Sequence, residues 1–144
     1  MATGKRTDPY GAYHYLVEIG GVIAAGFSEV SGISRETQVE DYQEGGLNEF
    51  VHRLPGPARF QNIVLKRGIT DSGELFQWHQ EVISGKIRRR NGSIILQDNA
   101  GEERWRWNFI EAYPAKWSGP SLQAGSSAVA IETLELAHHG FSKG

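Results

Sequence analysis

The chain of 144 residues contains no cysteine. That absence removes disulfides, Cys-based zinc sites and thiol catalysis together, and it argues against a chain built for stapling in an oxidising compartment. No run approaches 18 apolar residues, so a transmembrane helix is not expected. The start, MATGKRTDPYGAY, has two basic residues but no apolar segment behind them, and a Sec signal peptide is not expected. An excess of one charge is missing too. Fifteen Lys and Arg face 17 Asp and Glu, a net charge of −2, which is too balanced to argue for nucleic acid. There is no G-x-S-x-G nucleophile elbow, no G-x-x-x-x-G-K-[ST] phosphate loop, no G-x-G-x-x-G and no H-E-x-x-H.

What is present points to a single β-rich domain spanning 1–144. A chain of this length buries about two thirds of its unfolded surface and needs no metal or disulfide to fold. Eighteen Gly and five Pro punctuate many β-branched and aromatic residues. In AYHYLVEI (12–19), Tyr13, Tyr15, Val17 and Ile19 share one face of a strand. Gly20-Gly21 reads as a hairpin turn into VIAAGF. RETQVEDY (35–42) alternates but is polar on both faces, so it is an edge or a wall facing water. QNIVLKR (61–67) is a clear strand. The one helix is predicted over about 71–84, with Asp71 and Glu74 forming a capping box and Gly85 at the C′ position. Leu75, Trp78 and Val82, with Phe76 and Ile83 beside them, make its apolar stripe.

SIILQ (93–97) returns the chain to strand. EERWRWNFIEAY (102–113) then places Trp105, Trp107, Phe109 and Tyr113 on one face, with PAKWSGPSLQAGSS as the loop after it. In AVAIETLELA (128–137) the pattern changes phase between Ile131 and Leu134. Either a bulge sits near Glu132-Thr133 or both faces of the strand are covered, and coverage of both faces is the expectation. The sum is an antiparallel β-barrel or sandwich of about seven strands with one flanking helix.

Residues 44–57, EGGLNEFVHRLPGP, read as a long loop bounded by Gly-Gly and Pro-Gly-Pro, yet they carry Leu47, Phe50, Val51 and Leu54. Five His raise an enzymatic reading. His138 and His139 are adjacent on a strand and point to opposite faces, and His79 and Glu81 at i,i+2 do not face each other. A constellation joining His14, Ser28 and Asp41 in space stays open. KIRRR (86–90), with Arg88, Arg89 and Arg90, is either a solvated face or the partner of Glu36, Glu40, Asp41 and Glu44 on a neighbouring copy. Trp117 falls in a loop, where it can act as a wedge between subunits.

The ordered set GFSEVSG, VEDYQEGG, LPG, LKRG, WNFIEAYPAKW and AIETLELAH resembles the tube subunits of contractile phage tails and of phage-tail-like injection particles. The likeness runs over residues 8–140. It implies a tail-tube domain with a long inter-subunit arm at about 44–60, and six copies in a ring whose rings stack into a rigid hollow tube. A contracting sheath drives that tube through a target envelope. No catalytic residue, metal or cofactor is implied. The implied partners are a sheath protein, a baseplate or spike hub, a terminator cap and luminal cargo, either a protein effector or phage DNA, with no membrane anchor. Assembly belongs in the bacterial cytoplasm, and the product in a virion tail or phage-tail-like particle.

On this resemblance Leu47, Phe50, Val51, His52, Leu54 and Trp117 make contacts between subunits or rings. Glu36, Gln38 and Glu40 line the bore, and Arg88, Arg89 and Arg90 make charged contacts. The arm orders only in the stacked tube. Closing the sheets around a ring also removes free strand edges. The competing readings are a standalone ligand-binding β-barrel whose Trp/Phe face lines a pocket, a hydrolase with a dispersed triad, a baseplate adaptor and a type VI ring protein.

Overall fold

A computed structural model describes residues 9–11, 14–20, 22–24 (backbone only), 26–42 and 51–144. Leu47 and Phe50, Tyr13, Glu44, and the second half of the Gly20-Gly21 turn lie outside the described residues. The strands are β1 (Tyr15–Ile19), β2 (Val22–Ala24), β3 (Phe27–Ser31), β4 (Arg35–Tyr42), β5 (His52–Phe60), β6 (Ile63–Gly68), β7 (Arg90–Gln97), β8 (Glu103–Ser118), β9 (Ile131–Ala137) and β10 (Phe141–Lys143), with helix α1 at Glu74–Ile83. These ten strands replace the expected seven or so. The short β2 is the return strand expected in VIAAGF, whereas β3 and β10 follow glycines that the composition alone does not resolve into turns between separate strands. The class is the expected one, mainly β and antiparallel with one short helix.

Eight strands form one sheet in the order β2-β1-β7-β8-β9-β6-β3, with β10 also on β8. Its path turns at β8, whose first half pairs with β7 and whose last residues, Tyr113–Ser118, pair with β9. The ladder does not close into a barrel among the described residues. The ends nonetheless come together, because the Tyr15 hydroxyl on β1 donates to the Phe27 carbonyl on β3 at 2.7 Å. The core between the two limbs is Val17, Ile19, Phe27, Ile63, Leu65, Ile94, Phe109, Ala112, Leu134 and Leu136, joined by Leu75 and Trp78 from α1.

Two bulges in β8 decide which residues reach that core. Ile110 and Glu111 together oppose Asn91, with Glu111 left-handed (φ 54°) and its N–H donating to the Asn91 side chain at 3.0 Å. A second irregularity lies between Pro114 and Lys116. Each extra residue flips the alternation. Phe109 points inward, then Ala112 and Pro114, then Trp117. Tyr113 is therefore not on the Trp105–Trp107–Phe109 face as expected, and its ring instead carries the Arg89 guanidinium 5.3 Å from its centroid. Trp117 ends this strand rather than sitting in a loop.

The last long strand holds no bulge, since Ile131 to Leu136 pair with β6 in unbroken register. Its even side is buried throughout, including Glu132, while Ile131 and Val129 are exposed. The apparent change of phase comes from a charged residue that lies in the core. Glu132 accepts from Arg67 Nε at 2.7 Å, and the two are direct cross-strand partners.

α1 begins three residues later than predicted. Gly73 is its N-cap, with no side-chain capping bond, so Asp71 and Glu74 form no capping box. Its other end is as expected. Gly85 (φ 93°) donates to Val82, and Lys86 to Glu81, the paired bonds of a Schellman stop. Leu75 and Trp78 face the core, whereas Phe76 and Ile83 are exposed. His138 and His139 follow the end of β9 rather than lying within it. No described helix is long and apolar enough to cross a membrane.

Candidate functional site: an exposed hairpin and the surfaces around it

β4 and β5 pair only with each other and form a separate two-stranded sheet. The stretch 52–57, expected as loop, is thus the returning strand, and Pro55-Gly56-Pro57 lies inside it. Proline is tolerated because a two-stranded sheet has an outer edge that needs no N–H donor, and the register slips between Thr37 and Val39 opposite this segment. At about 3.3 Å per residue the nine-residue β5 spans roughly 30 Å. Val39 and Tyr42 on β4, Val51 just before β5 and Leu54 on β5 are 47–53 % exposed.

Direct partners in an antiparallel pair share a face. Glu40 with Leu54 and Tyr42 with His52 make one face, while Val39 with Pro55 and Asp41 with Arg53 make the other. The Asp41–Arg53 ion pair at 3.7 Å is exposed and contributes little. Of the bore candidates, Glu36 and Glu40 are exposed and Gln38 is half-buried.

The root of the hairpin is fixed to the body. Phe60 packs edge-on against Phe141 and His138, at centroid distances of 5.4 and 5.7 Å. His138 donates through Nε2 to the Gln61 carbonyl at 2.8 Å and accepts the Gly140 N–H at Nδ1, at 3.0 Å. This histidine serves structure, as a clamp between the hairpin root and the turn after β9.

The arginine run is engaged within the chain. Arg88 lies 3.8 Å from Glu81, Arg89 bonds the His139 ring at 2.9 Å, and Arg90 covers the Trp78 ring at 5.1 Å. Trp117 is half-buried beneath the edge of Phe76, at 4.9 Å between centroids. Trp105 and Trp107 line a shallow cleft of about 430 Å³ with Ile33, Arg35, Phe141 and Lys143. Among the described residues no three His, Asp or Glu gather as a metal site. His14, Ser28 and Asp41 fall on separate elements, and none of the hydrogen bonds of Ser28 or ion pairs of Asp41 joins them.

The outer face of the β7–β8 limb holds a charged network. Arg106 pairs with Glu103 at 2.6 Å and with Glu18 at 3.5 Å, and Arg104 with Asp98 at 2.9 Å. Backbone N–H donation from Glu102, with Arg104 beside it, lowers the Asp98 pKa from its usual 3.8. The Arg106 hydrogen bond lowers that of Glu103 from 4.5. Groups whose pKa is depressed by folding add stability above their unfolded pKa and lose it as pH falls through the folded one. Thermal melts should therefore show stability falling below about pH 4.5, with less of a fall in Asp98→Asn. An unchanged acid slope in that variant would show the network to be inert.

The chain matches a chain in the structure of the anti-feeding prophage (AFP) baseplate, 6-fold symmetrised, at 26% identity and TM-score 0.86, covering 96% of this chain and 97% of that one. A chain of the extracellular contractile injection system PVC sheath-tube complex in the extended state matches at 26% and 0.85, covering 94% and 91%. A chain of the PVC sheath/tube terminator matches at 26% and 0.87, covering 96% and 98%. The comparison with curated proteins finds no match. The model of the T4-like virus tail tube protein gp19 family matches residues 11–142. With that match over nearly its whole length, and a fold shared with injection-system chains, the chain belongs to the T4-like tail tube protein family.

Proposed function

We propose that this protein is the main tube subunit of a contractile injection system or contractile phage tail. Six copies form a ring, rings stack into a hollow tube, and sheath contraction drives that tube through a target envelope with its cargo. The observation that carries the reading is the β4–β5 hairpin, which stands as its own sheet and exposes large apolar side chains on both faces. A monomer gains nothing from such a feature, whereas a stacked assembly buries it. Val51, His52 and Leu54, with Leu47 and Phe50 of the same sequence stretch, then contact the adjacent ring. Of the expected bore residues Glu36, Gln38 and Glu40, Glu36 and Gln38, near the root, face the bore, while Glu40, paired with Leu54 further along the hairpin, meets a neighbouring copy.

In this reading the subunit has no catalytic role. It is assembled in the bacterial cytoplasm with a sheath, a baseplate hub and a terminator cap, and carries protein or DNA. The test is negative-stain electron microscopy of the purified protein with light scattering alongside. Six-fold rings or hollow tubes are expected. A strictly monomeric species that takes up small apolar ligands at the Trp105–Trp107 cleft would replace this reading with a ligand-binding domain.

A further inference from the structure

Among the described residues, two separate patches hold seven of the thirteen large apolar side chains left exposed. One is the hairpin. The other lies on α1, where Phe76 and Ile83 are 48 % and 65 % exposed, with Gln80 between them and Ile87 just beyond the helix. Positions 76, 80 and 83 fall at i, i+4 and i+7, a stripe of their own turned away from the inward Leu75 and Trp78. Phe76 is held from behind by Trp117, so the stripe is a backed surface rather than a set of loose side chains. Lys86 and Arg88 stand at its C-terminal end.

From the match between these patches we propose that the outward stripe of α1 is the receptor for the hairpin of a second copy. This inference rests on the tube reading above and names the surface that the arm meets. The occupying face is the one formed by Glu40, Tyr42, His52 and Leu54. Leu54 and Tyr42 are apolar counterparts for Phe76 and Ile83. Glu40 supplies a carboxylate opposite the basic end of the stripe, while the internally neutralised Asp41–Arg53 pair lies on the other face. The two surfaces differ, so the contact is heterologous. Such a contact is never satisfied in a two-fold dimer and propagates into a ring or a filament. The hairpin's reach of roughly 30 Å is long enough to cross to a neighbour.

The natural absence of cysteine makes the test clean. Wild-type assembly is first established by electron microscopy. A Leu54→Cys/Ile83→Cys double variant is then assembled and oxidised. A non-reducing ladder of multiple subunits is expected from it. Each single variant should stop at dimers, and a Leu54→Cys/Leu122→Cys control should give no ladder. Should wild-type tubes form without a ladder from the double variant, or with an equal ladder from the control, the receptor assignment falls and the tube reading stands. Failure of the wild type to assemble removes both. Charge reversal gives a second readout that leaves the core untouched. Glu40→Lys should raise the concentration needed for half-assembly roughly tenfold, equivalent to about 1.4 kcal/mol. Adding Arg88→Glu should restore most of that loss. Simple additivity of the two defects would overturn the pairing.

Discussion

Glu132→Ala is expected to cost about 3–5 kcal/mol of folding stability, read as a lower urea midpoint at unchanged slope in subunits kept below their assembly concentration. The side chains of Glu132 and Arg67 are 5 % and 9 % exposed and meet at 2.7 Å. Removing the carboxylate strands a guanidinium among Phe27, whose ring lies 5.7 Å away, and apolar neighbours. The arginine has little to fall back on, since its Nη2 is already buried without a hydrogen-bond partner. The cost is therefore that of an uncompensated charge and not the value of the pair. The double variant Arg67→Met/Glu132→Leu separates the two ideas. It should recover the wild-type midpoint or exceed it, because desolvating the pair offsets much of its attraction. A single variant losing less than about 1 kcal/mol would mean that water reaches Arg67.

The second large effect is at Gly92. It lies opposite Phe109 in the ladder, and a Cβ there would collide with the Phe109 ring and with the Glu18 backbone carbonyl. Phe109 is 1 % exposed, so its ring has no free volume to enter, and the carbonyl is held in the β1–β7 register. Gly92→Ala should cost about 3 kcal/mol, the upper end of the usual range for overpacking. Phe109→Ala should cost about 3–5 kcal/mol through the cavity it leaves. The informative measurement is the combination. Gly92→Ala/Phe109→Leu should be more stable than the summed losses of Gly92→Ala and of Phe109→Leu alone predict, because each change relieves the other. Strict additivity would show that the backbone at Glu18, and not the ring, is the obstacle.

These two sites also show what could be read in advance. The α1 pattern was legible because Leu75, Trp78 and Val82 repeat at helical spacing and Gly85 stops the helix. Tyr15, Val17 and Ile19 were legible from strict alternation. Parity along β8 was not, since nothing in FIEAYPAK marks Glu111 as the left-handed residue of a bulge. Glu132 misled for the opposite reason: a charged residue reads as surface, and its partner Arg67 is 65 positions away in sequence. The hairpin was half legible. Its apolar residues stood out, but Pro-Gly-Pro looked like an ending because the edge strand that tolerates it is a three-dimensional fact. Phe76 and Ile83 were counted with the inward stripe, although 76, 80 and 83 already define a different side of the helix.

The sixteen-residue β8 has a mechanical consequence. One uninterrupted extended segment belongs to both limbs of the sheet, pairing with β7 and β10 at its start and with β9 at its end. Where limbs are joined by a loop, strain is absorbed by soft dihedrals in the connection. Here a push on one limb passes to the other along taut backbone, with the irregularities at Arg104, Glu111 and Ala115 as points of compliance. Stiffness against buckling is then set inside each subunit, at three residues, before any contact between subunits is made.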